Sequence, residues 1–467
     1  MARTIFCVPP CPSPKGSAQA TQNRQYQRFK DDTFIFPVIP ATFITMLTTF
    51  PGQEVLMIDA IAEGLSEEEF GKIIIDMKPD YLVFESNTMV FKRYCEVING
   101  IKQNIPTIKI IFCGEHVTSR PDEAKKTKAD FFAHGGKWFY EAFKIVTGSE
   151  WDKEKQLPHI DRTASRWWLY AYNNGNFKYT PATYTMASMD CWYRPKQPCT
   201  FCSWVNYHPN TTTRSVEDFL SEVEGLINFG FKEFFDDSGT FPVGKWLREF
   251  CQEMIDRGYN KHIVWGCNMR FGALQPEDFK LMSEAGCRFI LWGFESANQS
   301  TLDKLSKGYK TEDMKRDLIL SRSAGIWNHL TVMIGYWWET LEEEKRTFGM
   351  IKWLLVNDWA SSMQATIFMP YPGTRSFEQA KEEGVLIDED WNNWDMTAGV
   401  VKLKYHFSEA LKLQKQYYDI SFNPRFVWNK LSKIRTKEDL KFYYRIGKKV
   451  VNRFANLFDK EGVSING

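Results

Sequence analysis

Three cysteines within twelve residues, Cys191-Trp-Tyr-Arg-Pro-Lys-Gln-Pro-Cys199-Thr-Phe-Cys202, constrain this chain more than any other stretch. Three thiolates on one short loop can hold three irons of a four-iron cluster and leave the fourth iron open to a substrate group. The same cysteines with His208 would also make a closed tetrahedral set for a structural zinc. Spacing alone leaves iron–sulfur and zinc equally open, so the residues around the loop have to decide.

A chain of 467 residues has room for two or three domains and a sizeable core. Its 43% hydrophobic, 15% aromatic and 25% charged residues are the balance of an ordered globular protein with an aromatic interior. Lys and Arg number 59 against 58 Asp and Glu, a formal +1 that gives no bulk electrostatic case for a nucleic-acid or acidic-membrane partner. Ten cysteines, three of them clustered, behind a start that reads as no secretory signal, point to a cytoplasmic protein with a metal site, not a disulfide framework. Residues 33–53 carry no charge, but Pro37, Pro40 and Pro51 interrupt them, so they read as a buried segment and not a membrane span.

Residues 55–59, 81–85 and 108–113 read as strands, and Ser66 with Glu69 forms a capping box ahead of a helix through residue 77. This alternation predicts a Rossmann-like, doubly wound parallel sheet over residues 1–150. Ligands of such sheets bind at the carboxyl ends of the strands, where Glu85-Ser-Asn-Thr88 and the stretch 114–122 begin. His116 taken alone is more often a hydrogen-bonded structural residue than a ligand. Residues 151–183 read as a linker. From 184 to 385 strands and helices alternate again through six βα-like units, too few residues for a complete eight-unit barrel. Residues 386–467 read as a helical C-terminal region. The fold class is therefore α/β, with a doubly wound sheet, a partial barrel and a helical tail.

Behind the cysteine loop stand, in order, Asp236-Asp-Ser-Gly-Thr-Phe241, Trp265-Gly-Cys-Asn-Met-Arg270, Gly293-Phe-Glu-Ser296 and Pro370-Tyr-Pro-Gly-Thr374. With these motifs the chain resembles the radical S-adenosylmethionine enzymes. The resemblance implies that Cys191, Cys199 and Cys202 hold a 4Fe–4S cluster and that Phe201 packs near the adenine of S-adenosylmethionine. Asp237, Ser238 and Gly239 would face its ammonium group, Arg270 its carboxylate, and Glu295 with Ser296 its ribose or amino-acid end. Reductive cleavage of that cofactor gives a deoxyadenosyl radical.

The amino-terminal third is similar to the cobalamin-binding domain of one large subfamily, through Gly114-Glu-His-Val-Thr118 followed by Pro121 and Asp122. That likeness implies a cobalamin site at Ser86, Asn87, Gly114, Glu115, His116 and Thr118. Two departures stand out. Seven residues separate Cys191 from Cys199 where the family has three, and Ala133-His-Gly-Gly-Lys-Trp138 lacks the subfamily's acidic turn. No Asp-x-His-x-x-Gly signature offers a histidine below the cobalt.

The implied activity is a cobalamin-dependent methyl transfer to an unactivated carbon of an apolar or aromatic small molecule, fed by an electron donor such as flavodoxin or ferredoxin. Oxidative cyclisation or rearrangement on the same scaffold is the alternative within the enzyme class, and a zinc-stapled binding protein the alternative outside it. Trp337, Trp338, Trp353, Trp391 and Trp394 read as core more readily than as a substrate cavity.

Overall fold

A computed structural model describes residues 2–20, 26–29, 34–152, 157–172, 174, 176–189, 191–193, 198–203 and 212–458. The first sheet is wholly parallel and contains β1 (Ala2–Val8), β4 (Gln53–Asp59), β5 (Tyr81–Glu85), β6 (Lys109–Cys113) and β7 (Phe131–Ala133). Its spatial order is β4-β1-β5-β6-β7, so chain direction across the sheet reverses at β1 and leaves a crevice beside the carboxyl ends of β1 and β5. Between β1 and β4 the chain makes an antiparallel hairpin of β2 (Ser17–Ala20) and β3 (Tyr26–Phe29). The sequence signals neither β1 nor this hairpin.

The uncharged stretch becomes the helix Val38–Thr48, buried at every residue from Val38 to Leu47 and packed against β4 and the helix Trp138–Thr147. An element buried on all sides needs no polar face, which is why its sequence shows no amphipathic period. Among the described residues no helix is long and apolar enough to cross a membrane. Ser66 and Glu69 close the expected capping box at the start of the helix Glu67–Met77.

The second sheet is also parallel, with order β13-β12-β11-β10-β9-β8. Its strands are β8 (Ala182–Thr185), β9 (Glu233–Asp236), β10 (Val264–Met269), β11 (Cys287–Glu295), β12 (Trp327–Ile334) and β13 (Ser362–Ile367). Helices follow the strands as crossovers, and the six strands curl into an open half-barrel, in agreement with the sequence count. Gly266 is required in β10, because a Cβ there would stand 2.8 Å from the Phe289 carbonyl of β11.

Arg162 joins the two halves. It is buried, donates to Thr183 Oγ1 at 2.9 Å and to Glu222 at 2.8 Å, and lies 5.0 Å over the Phe36 ring. From the other side Trp391 packs on His116, at 5.1 Å between ring centroids, and donates to Glu123 at 2.8 Å. The helices Phe407–Asp419, Pro424–Leu431 and Lys437–Phe458 end the described chain.

Candidate active site

The cysteine loop leaves the carboxyl end of β8 and is pinned from two directions. Cys191 bridges to Thr240 just past β9, and its Sγ stands 3.3 Å from Thr240 Oγ1. On the far side Thr200 N donates to Leu305 O at 3.1 Å, and Cys199 Sγ lies 4.0 Å from Ser306 O. Cys191, Cys199 and Cys202 are all half-buried thiols. Burial raises the Cys199 thiol, and the Lys307 ammonium nearby pulls it back down. Among the described residues no three His, Cys, Asp or Glu side chains gather around one point as a single metal ion requires. His208 and residues 194–197 of the long cysteine spacer lie outside the described residues.

The segment after β11 forms the other wall. A register shift between Gly293, opposite Thr331, and Glu295, opposite Val332, leaves Glu295 at φ +60° at the end of β11. This bulge turns its carboxylate onto Lys307 Nζ, 3.0 Å away, with both side chains 8% exposed. Burial opposes the Lys307 charge, but Glu295 together with Tyr309 and Cys199 outweighs it and holds the ammonium above its usual range. Gly293 lies directly against this pair, since a Cβ there would meet Glu295 Oε1 at 2.9 Å and Lys307 Nζ at 3.0 Å and the two side-chain ends would have to shift. Lys307 Nζ lies 5.7 Å over Phe201 and 5.6 Å over Tyr309. Arg270 stacks 3.5 Å over the Tyr193 ring and donates to the Lys307 carbonyl. It therefore ties the cysteine loop to the segment 304–309. Lys307, Tyr193 and Tyr309 are site residues that the motifs did not single out; nothing in Ser306-Lys307-Gly308-Tyr309 marks the lysine as buried.

The turn after β9 divides its labour. Asp236 is fully buried and accepts from Ala187 N at 2.6 Å and Ser238 N at 3.0 Å; its burial raises the carboxyl to about 7 despite those bonds. Ser238 Oγ accepts from Ser188 N at 2.8 Å, so this hydroxyl braces the start of the cysteine loop. The Ser238 carbonyl accepts from Asn268 at 3.0 Å and the Gly239 carbonyl from Thr240 at 2.8 Å. Asp237 alone of the three borders the cavity described next. Ser296 faces away from the loop into a buried network, donating to Glu339 Oε1 at 3.0 Å, where Asn298 and Thr301 also bond. Burial raises the Glu339 carboxyl.

A cleft of about 1160 Å³, part of it open to solvent, runs from the crevice of the first sheet to the mouth of the half-barrel. Glu85, Ser86, Asn87, Gly114, Glu115 and Gly135 border it from the carboxyl ends of β5, β6 and β7. Ser203 and Asp237 border it from the barrel, and Phe34, Phe36 and Ile39 supply apolar walls. The fit to a large planar cofactor is good on one count in particular: two loops present glycine backbone to the space, and Thr118 fixes both. Its Oγ1 donates to Gly114 O at 2.8 Å and accepts from Gly135 N at 2.9 Å. Gly114 sits at φ +103°, and a Cβ there would fall 2.3 Å from the Ser86 carbonyl. Gly114→Ala is therefore expected to cost on the order of 2 kcal/mol or more, measured by urea unfolding. A loss below about 0.5 kcal/mol would contradict this backbone contact.

His116 is fully buried outside the cavity, against Phe91 at 4.0 Å, with Nδ1 3.2 Å from Thr88 Oγ1. Burial lowers its pKa, and it holds the loop from behind. Trp337, Trp391 and Trp394 are buried in the core, whereas Trp353 is 48% exposed.

Residues 190–350 match the Radical SAM superfamily. The chain is 26% identical over 408 residues to an uncharacterised methyltransferase of Pyrococcus horikoshii, covering 80% of this chain and 85% of that protein. It is 24% identical over 381 residues to an anaerobic magnesium-protoporphyrin IX monomethyl ester cyclase of Cereibacter sphaeroides, over 74% of this chain and 60% of the cyclase. Among solved structures it shares its fold with the cobalamin-dependent S-adenosylmethionine radical enzyme OxsB, at TM-score 0.63 and 15% identity over 96% of this chain and 71% of that one. It also superposes on the radical S-adenosylmethionine methyltransferase TsrM of Kitasatospora setae, at TM-score 0.59 and 14% identity, over 82% of this chain and 78% of that one.

Proposed function

We propose that the chain, whose residues 190–350 match the Radical SAM superfamily, is a cobalamin-dependent methyltransferase acting on an unactivated carbon of a small molecule. The observation that carries this reading is the single cavity bordered both by the loops of the first sheet and by Ser203 and Asp237 of the barrel. A cofactor seated on Ser86, Asn87, Gly114 and Glu115 would lie within reach of a substrate at the barrel mouth, as methyl transfer needs.

When bound, the cluster and S-adenosylmethionine supply one-electron cleavage of a carbon–sulfur bond, and cobalamin supplies a transferable methyl group. The chain's own residues bind and orient. Cys191, Cys199 and Cys202 would hold the cluster. Lys307, Phe201 and Arg270 form a cationic and aromatic wall beside it, suited to the carboxylate and adenine of S-adenosylmethionine. Glu295, paired with Lys307, would act on that cofactor through the lysine, and Ser238 and Ser296 act as braces. Asp237, which borders the cavity, would face the ammonium group. The apolar walls at Phe34, Phe36 and Ile39 would help to exclude water from a reactive carbon centre held there.

Anaerobic reconstitution tests the assignment: roughly four iron and four sulfide per chain are expected, with bound cobalamin. Incubation with methyl-labelled S-adenosylmethionine, a reductant and a small-molecule extract should release deoxyadenosine and labelled product together. Deoxyadenosine without transferred label would favour oxidative cyclisation, the reading that the similarity to the ester cyclase keeps alive. Zinc in place of iron would overturn both.

A further inference from the structure

The net charge of +1 conceals an uneven distribution. Between residues 402 and 448 twelve Lys and Arg stand against four Asp and Glu, a local +8. The same region carries large apolar side chains in water. Trp428 is 69% exposed, Leu431 54%, Leu440 59% and Tyr444 74%. On the helix Pro424–Leu431 the exposed Val427 and Trp428 stand four and three residues before the exposed Leu431 and so share a stripe with it. On the helix Lys437–Phe458 the exposed residues Lys437, Leu440, Lys441, Tyr444 and Lys448 recur at three- and four-residue intervals along one face. Arg425 and Arg435 are exposed beside these stripes.

We propose that this face docks on an anionic lipid surface. Protruding Trp, Tyr and Leu among lysines are what an interfacial helix uses, with rings at headgroup depth and ammonium groups paired to lipid phosphates. A nucleic acid would match the charge but not the aliphatic stripe of Leu431 and Leu440. The position argues against an electron-donor protein. Phe442 and Tyr443 pack on Trp327, the first residue of β12, and Asp439 pairs with Lys178 at 2.5 Å, just ahead of β8. The helix therefore covers the amino ends of the barrel strands, whereas the cysteine loop lies at their carboxyl ends. A protein delivering electrons has to approach the other end of the barrel. The fold rests on the surface without crossing it, in keeping with the lack of a spanning helix among the described residues.

Co-sedimentation of the full chain with vesicles tests the proposal. Binding is expected to phosphatidylcholine vesicles containing phosphatidylglycerol, and to weaken sharply with salt; binding to phosphatidylcholine alone should be marginal. Lys437→Gln with Lys441→Gln should weaken binding about twenty-fivefold, from about fivefold per surface lysine. Trp428→Ser with Tyr444→Ser should weaken it without changing the salt slope. All four side chains are exposed, so circular dichroism and iron content should match the parent. Equal binding to neutral and anionic vesicles, no binding at low salt, or binding unmoved by both double variants would overturn the proposal. So would a concentration-dependent dimer abolished by Trp428→Ser, which assigns the face to a second copy, or capture of acidic flavodoxin or duplex DNA in place of vesicles.

Discussion

Replacing Cys191, Cys199 and Cys202 together by alanine is expected to remove iron from the reconstituted protein and to bring deoxyadenosine release down to background. The fold should survive, because the three thiols are half-buried and each loses one sulfur atom, at about 1 kcal/mol or less. The loop is held by other contacts, from Thr200 N to Leu305 O and from Ser376 N to Thr200 O. Loss of iron with an unchanged urea midpoint is the supporting result. Retained deoxyadenosine release would sink the radical mechanism, and unfolding of the variant would mean that the loop is a structural staple.

The second large effect lies in the Glu295–Lys307 pair. Glu295→Gln leaves a buried ammonium without its counter-charge, and such half-broken pairs cost about 3–5 kcal/mol. Lys307→Met strands the carboxylate instead. The double variant removes both charges and is expected to be more stable than either single one, so a double-mutant cycle should report a coupling of at least about 2 kcal/mol. Binding of S-adenosylmethionine, followed by calorimetry, should fall in the Lys307→Met protein even where the fold is retained. Additive single effects would show that the 3.0 Å contact contributes little.

Sequence period and motif order went far here because they report local requirements. The capping box at Ser66 and Glu69, the strand–helix alternation and the spacing of the cysteines are set within a few residues of chain, and the folded protein keeps them. Motif order placed Asp237, Glu295 and Arg270 near the cysteine loop, but not what each one does. Ser296 and Ser238 carry family-like positions, yet both hydroxyls are committed to protein partners, Glu339 and Ser188 N. His116 likewise sits in a loop that resembles a cofactor loop while its ring packs on Phe91 and Trp391, a residue 275 positions along the chain.

By itself the sequence determined the α/β class and the two parallel sheets, and it set three cysteines on one loop, since hydrophobic period, turn residues and close spacing are properties of contiguous chain. Only the tertiary structure decided which side chains share one space. The cavity joining Gly114 to Asp237, the bulge that aims Glu295 at Lys307, and the basic, aromatic face of the last two helices all arise from residues far apart in sequence. Burial and electrostatics depend on distance through space, and a count along the chain averages them away, as the +1 total does with the +8 of residues 402–448.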